Sequence, residues 1–438
     1  MLESNDMAAD IFKAAVTSVD PYRLVAAHSK EINEAFARAK FRRMIVAGFG
    51  KASCPMACAM EDALFNVDYK GVAITKYGHC DGYDLKKISM HEAGHPLPDM
   101  AGLNGTKELI NSLRNADEQS LVVCLISGGG SALLVCPYEG VSLADKQYMT
   151  DLLLKAGADI YDLNTVRKHI SMVKGGRLAS IAYPAEIKSL IISDVIGDDL
   201  GVIASGPTSP DRTTFSNALD IIAKHDLLDK SPASVIALLG KGADGDIPET
   251  PKEGSRFFER VSNLIIGNNI KALKAARDAA EALGLEAQII SSELKGEARS
   301  AAKWLAQKAI TCRHVEKSKK SVCLISGGET TVAVKGNGLG GRNTEFALAF
   351  ALEIDGVDGI TLLSAGTDGT DGATDAAGAV VDASTVSKAR ACGIDALAYL
   401  SNNDSYNFFQ KAGGLFITGP TGTNVADIQI AIIEGRHY

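Results

Sequence analysis

The chain has 438 residues, of which 45 are Lys or Arg and 53 are Asp or Glu, for a formal charge of −8. That mild acidity argues against a surface built for nucleic acid or anionic membrane, and a content of 46% hydrophobic and 22% charged residues excludes a disordered or fibrous chain. Glycine is abundant (43 residues) and proline scarce (12), a balance that suggests tight, backbone-exposing loops between regular elements, as α/β proteins with anion sites use.

Short apolar runs read as strands at 43–47, 71–75, 121–126, 187–193, 261–266, 285–290, 321–325, 359–364 and 415–418. Helical patterns lie between them at 101–114, 143–156, 269–283, 298–312 and 344–354. Strands alternating with helices of that length mean βαβ units. The fold expected is α/β, with two Rossmann-like domains and largely parallel sheets. The polar segment 241–254, with two prolines and three glycines, places the boundary, giving an N-terminal domain over 1–242 and a C-terminal domain over 255–438. No run approaches the length of a membrane-spanning helix. The acidic start of the chain carries no export signal, and the eight scattered cysteines read as reduced thiols. These features predict a cytoplasmic protein, monomer or homodimer, with no nucleic acid or membrane partner.

The segment Val-Cys-Leu-Ile-Ser-Gly-Gly occurs identically at 123–129 and 322–328, each copy reading as a strand that runs into a glycine turn. In the first, Ser127, Gly128, Gly129, Gly130 and Ser131 would let the backbone approach a ligand closely. Ser326-Gly327-Gly328-Glu329-Thr330 repeats the device. Upstream, Gly48-Phe49-Gly50-Lys51 leads from a strand into a helix, where amides and one lysine make an anion site. Arg342 opens a helix after two glycines, which suits a bidentate grip on phosphate or carboxylate. Arg167-Lys168-His169 and Lys174-Gly175-Gly176-Arg177 concentrate positive charge. Asp194, Asp198 and Asp199, and Asp368 and Asp371, sit in loops after strands, where one or two carboxylates beside substrate phosphates would hold Mg²⁺.

Three motifs are decoys. His91-Glu92-Ala93-Gly94-His95 has the zinc-protease pattern, but Gly94, Pro96 and Pro98 break the helix that the motif needs. The glycines at 336, 338 and 341 match a dinucleotide loop, but the acid expected about 20 residues later is missing. The acids of Thr367–Asp375 lack calcium-loop spacing.

Taken in order, Lys51 after its glycines, His95-Pro96-Leu97-Pro98-Asp99, Ser127–Ser131, Asn164–His169, Ser193–Asp199, Ala204–Thr208, Gly340–Glu345, Thr367–Gly372 and Thr418–Asn424 resemble the glycerate 2-kinase family with a MOFRL domain, over nearly the whole chain. The resemblance implies ATP- and Mg²⁺-dependent phosphorylation of D-glycerate at its 2-hydroxyl, and Lys51 and Arg342 match positions proposed as catalytic. It also implies an active site in the cleft between the two domains. The chemistry of phosphoryl transfer adds that Asp194 or Asp198 holds Mg²⁺ or accepts the 2-hydroxyl proton, the two roles being open between them, with Asp368 as a further metal ligand. Nucleotide contacts are then expected from Ser127–Ser131, Lys174, Gly327, Gly328, Glu329, Asn343 and Glu345. Two rival readings are an NAD(P)H-dependent hydroxypyruvate reductase and a non-catalytic nucleotide-binding regulator.

Overall fold

A computed structural model describes residues 3–64, 67–315 and 320–435. The chain divides into two compact units, one formed by residues 21–266 and the other by 1–20 together with 267–438.

The first unit holds strands β1 (Arg43–Phe49), β2 (Tyr69–Lys76), β3 (Ile88–Ala93), β4 (Ser120–Ile126), β5 (Glu186–Ile192) and β6 (Val261–Gly267), in the order β3-β2-β1-β4-β5-β6. From β3 to β5 every pairing is parallel. The central strands β1 and β4 are buried almost throughout, as strands covered on both faces must be. A second apolar cluster in this unit joins Met149, Leu153, Val166, Phe215 and Leu238, from the helices Leu143–Lys155, Ile160–His169, Phe215–Lys224 and Ala233–Ala243.

The second unit holds β7 (Glu286–Leu294), β8 (Val322–Gly328), β9 (Ile360–Gly366), β10 (Gly378–Asp382), β11 (Leu415–Phe416) and β12 (Asp427–Ile433), in the order β11-β10-β9-β12-β8-β7. Here β7 and β8 are parallel. The strand β12 runs antiparallel between β8 and β9, and β10 runs antiparallel to β9 and β11.

Three expectations change. The segment 241–254 is not where the units divide: Asp211 N–H donates to Pro251 O at 3.0 Å and Thr250 Oγ1 to Asp211 Oδ2 at 3.0 Å, which tie the segment into the first unit, and β6 then joins the first sheet. The first helix, Ser4–Ser18, belongs to the other unit, where Phe12 meets Phe416 edge to face at 5.4 Å between centroids and Thr423 Oγ1 donates to Val19 O at 2.9 Å. Cys54 and Cys80 are joined as a disulfide rather than held as free thiols. Among the described residues, no helix is long and apolar enough to cross a membrane.

Candidate active site

In the first unit the loop after β4 is the organising feature. Gly129 adopts φ +78°, a left-handed conformation that glycine takes without strain. A β-carbon placed on Gly128 would lie 2.3 Å from Asp194 Oδ2, and one on Gly129 would lie 3.0 Å from His95 Nε2 and 3.1 Å from Lys51 Cγ. Any larger residue would push these three side chains off the turn. Lys51, Asp194, His95 and Ser127–Ser131 are therefore brought together as the sequence predicts for all but His95.

The backbone around Lys51 is fully engaged. Lys51 N–H donates to Gly128 O at 2.8 Å, Ala52 N–H to Ser127 Oγ at 3.0 Å and Ser53 N–H to Gly50 O at 3.1 Å. These amides at the start of helix Ser53–Asp62 are spent inside the fold, so the charge for an anion here comes from the Lys51 ammonium. Burial pushes the Asp194 carboxyl above its usual range, against the pull of Lys51 and of the Gly129 amide. Burial, and then the positive charges of Lys51, Lys76 and His79, push His95 down to about 4. His95 is thus a neutral imidazole at physiological pH. Asp198 follows on the same loop at φ +56°. Its carboxylate and that of Asp194 are hard oxygen donors of the kind that share Mg²⁺ with phosphates and water. Among the described residues, no group of three or more His, Cys, Asp or Glu could hold a metal ion by itself.

A polar chain leads away from this turn. Ser131 Oγ lies 2.8 Å from Ser205 Oγ, and Ser205 Oγ donates to Asn164 Oδ1 at 2.8 Å. Ala204, Ser205 and Gly206 all have positive φ (+50°, +63° and +63°), a backbone that costs of order 1–3 kcal/mol per non-glycine residue and persists at functional sites. Lys174, expected among the nucleotide contacts, is fully buried, with Nζ donating to Leu134 O at 3.2 Å.

In the second unit, Arg342 makes a bidentate pair with buried Asp427 (Nε to Oδ2 at 2.6 Å, Nη2 to Oδ1 at 2.9 Å), and Nη1 lies 2.8 Å from Glu329 Oε1. The fork that was expected to grip a ligand is already on Asp427, and these carboxylates raise the Arg342 pKa further, against the opposing effect of its own burial. Asn343 Nδ2 donates to Asp427 Oδ1 at 3.0 Å. Asp371, the calcium-loop decoy, caps the helix Arg342–Glu353: it accepts from the amides of Asn343 (2.9 Å) and Thr344 (2.8 Å) and from Thr344 Oγ1 (2.8 Å). The Asp368 carboxylate accepts from Thr370 N–H and Thr370 Oγ1, both at 3.1 Å.

Two sets of expected nucleotide contacts have partners within the fold. Ser326, Gly327 and Gly328 do not form a turn like that of Ser127–Gly129; they stay in β8 because Gln429, Ile428 and Asp427 of β12 pair with them, and Glu329 N–H donates to Leu294 O at 2.9 Å. Glu345 is committed to Arg299 Nε (2.8 Å) and Asn403 Nδ2 (2.9 Å), away from Arg342. The dinucleotide-like loop is closed in the same way: the amides of Gly336, Asn337, Gly338 and Leu339 donate to residues 402–404. The zinc-like histidines sit apart in role, His91 on β3 with Nε2 2.7 Å from Glu108 Oε2 and His95 beside Lys51. Asp427 was missed, although an acid opening the apolar run Asp427-Ile428-Gln429-Ile430 was its signal.

Two outcomes are expected. Asp371→Ala leaves three donors at a helix start without their acceptor and lowers stability by about 2–4 kcal/mol, read by urea unfolding. The depressed pKa of His95 contributes stability that is complete above about pH 6.5 and lost as pH falls towards 4. A His95→Asn variant therefore loses less stability than the parent over that window, measured as the urea midpoint against pH.

Residues 7–240 match the family described as a domain of unknown function, DUF4147, and residues 322–427 match the MOFRL family. The chain is 43% identical over 428 residues to a D-glycerate 2-kinase of Thermotoga maritima, covering 98% of each. It is 42% identical to an Agrobacterium vitis protein that carries a hydroxypyruvate reductase name, covering 97% of this chain and 93% of that one. A crystal structure of a Thermotoga maritima glycerate kinase superposes with a TM-score of 0.86 at 43% identity, covering 98% of this chain and 99% of the other. The chain belongs to the glycerate kinase family with a MOFRL domain.

Proposed function

We propose that the chain transfers the γ-phosphoryl group of ATP to the 2-hydroxyl of D-glycerate, giving ADP and 2-phosphoglycerate. The observation that carries this reading is the packing of one cation and one carboxylate, Lys51 and Asp194, on the two adjacent glycines 128 and 129. Phosphoryl transfer needs positioning and charge neutralisation more than covalent chemistry. It also needs a group to receive the proton that leaves the attacking hydroxyl.

Lys51 neutralises charge on the transferring group, and the neutral His95 beside it adds no competing positive charge. Asp194 receives the 2-hydroxyl proton, for which its raised pKa suits it. Asp198 provides a hard oxygen for Mg²⁺, which supplies charge neutralisation on the nucleotide phosphates when bound. Ser127 and the glycines that follow take the phosphate chain close to the backbone. In the second unit, Arg342, which the family resemblance matches to a position proposed as catalytic, is fixed by Asp427, and Asn343 holds that pair in place.

The reductase reading has one observation in its favour, the hydroxypyruvate reductase name of a relative. The occupied amides at 336–339 count against it, since a pyrophosphate needs them.

The test is ADP release that depends on D-glycerate, followed with purified protein, ATP and Mg²⁺. Lys51→Met is expected to lower kcat roughly 10²- to 10³-fold, the usual cost of removing one preorganised charge-stabilising group, while the KM for D-glycerate changes little. Oxidation of NADH by hydroxypyruvate with no ADP formed would replace this reading by the reductase one. For the pH dependence, Asp194 acts as its anion, so kcat falls as pH drops through its raised pKa. The acid limb therefore lies above the ordinary carboxylate range, and Asp194→Asn removes that limb along with most of the activity.

A further inference from the structure

The first unit buries three cations beside one another. Lys146 on the helix Leu143–Lys155 is 3% exposed, Lys174 is 0% exposed, and Arg167 on the helix Ile160–His169 is half-buried. The positive charge of Arg167 acts on both lysines, and that of Lys146 acts on Lys174. Burial lowers Lys146 to about 7, lowers Lys174 well below its ordinary value and lowers Arg167 to about 10, and among the described residues no carboxylate acts to raise any of the three. Buried lysines and arginines in folded proteins are otherwise paired. A fold that sets three such groups together without an acid disfavours their charged forms, and a bound anion would restore them.

The cations close a ring with the polar chain that leaves the glycine turn. Lys174 Nζ is on the carbonyl of Leu134, three residues beyond Ser131. Ser131 meets Ser205, and Ser205 meets Asn164. Asn164 stands one helical turn before Arg167, on the same side of its helix. The Nδ2 group of Asn164, in a residue 2% exposed, has no hydrogen-bond partner. An orphaned buried donor and three unpaired cations call for the same thing, a small anion that also accepts hydrogen bonds.

We propose that Lys146, Arg167 and Lys174, with Asn164, Ser131 and Ser205, form the site that holds the carboxylate of the acceptor hydroxy acid. This assignment rests on the proposed kinase reading and moves Lys174 from the nucleotide to the acceptor. The enclosure of the cations favours a small acid over a triphosphate, whose several charges need an open groove. The hydroxyls of Ser131 and Ser205 match an acid that carries its own hydroxyl groups. Ser131 lies two residues from Gly129, on which Lys51 packs, so a carboxylate held here leaves the rest of a three-carbon acid to extend along the turn towards Lys51.

The test compares Arg167→Gln and Lys146→Met with the parent by steady-state kinetics and by thermal unfolding. Arg167→Gln is expected to raise the KM for D-glycerate about tenfold or more, the loss of one charge-assisted contact, with the KM for ATP changed less than about twofold. Lys146→Met is expected to unfold at the same or a higher temperature than the parent, because a buried group that resists charging is gone, and still to raise the KM for D-glycerate. A rise confined to the KM for ATP would overturn the proposal, as would equal losses of stability in both variants with unchanged KM values. If the parent does not phosphorylate D-glycerate, the kinase reading fails. The site is then read by the rise in unfolding temperature on adding D-glycerate or inorganic phosphate. A rise with D-glycerate that Arg167→Gln abolishes supports the site, and no rise, or one with phosphate alone, overturns it.

Discussion

The candidate site of the first unit depends on a backbone without side chains at Gly128 and Gly129. Because no β-carbon stands there, an Asp194 carboxylate and a Lys51 stem can press on adjacent residues of one turn, and His95 can lie over the second of them. The turn is in turn held by strand pairing: β4 lies between β1 and β5, and Lys51 and Ala52 bond back to Gly128 and Ser127. The burial of β1 and β4 is therefore what keeps a cation and a carboxylate at fixed positions, a condition for charge stabilisation that needs no rearrangement during reaction.

The second unit reaches a comparable arrangement by different means. Its key interaction is the Arg342–Asp427 pair, with Asp427 opening the strand β12 between β8 and β9. Asp371 fixes the start of the helix that carries Arg342. A buried carboxylate that spends both oxygens on one guanidinium and one amide orients the arginine, and it also limits how much of the fork remains for a ligand. Lysine at position 342 would keep the charge but not this geometry.

The sequence made the first unit more legible than the second. Continuous apolar runs marked β1, β4 and β5 correctly because both faces of a parallel sheet are covered. The glycine turn, Lys51 and Asp194 were legible as strand ends followed by special backbone. The repeated Val-Cys-Leu-Ile-Ser-Gly-Gly misled, since the same seven residues end as a turn at 127–129 and as paired strand at 326–328. What differs is a strand from far along the chain, β12, and no local pattern at 322–328 records that a partner will extend the pairing. The same limit hid Lys146 and the contact between Asn164 and Ser205, residues quoted only within motifs, because that contact spans 41 residues. His95 was quoted as part of a motif, but its place beside Lys51 comes only from the fold.

The central claim is transfer of a phosphoryl group to the 2-hydroxyl of D-glycerate, and the most direct measurement is the phosphorus NMR spectrum of the product made from ATP, Mg²⁺ and D-glycerate. Phosphorus on the 2-oxygen is coupled to a single carbon-bound proton and gives a doublet, which the account predicts. A triplet would place the phosphoryl group on the 3-oxygen, and no glycerate-dependent signal at all would contradict the kinase assignment itself.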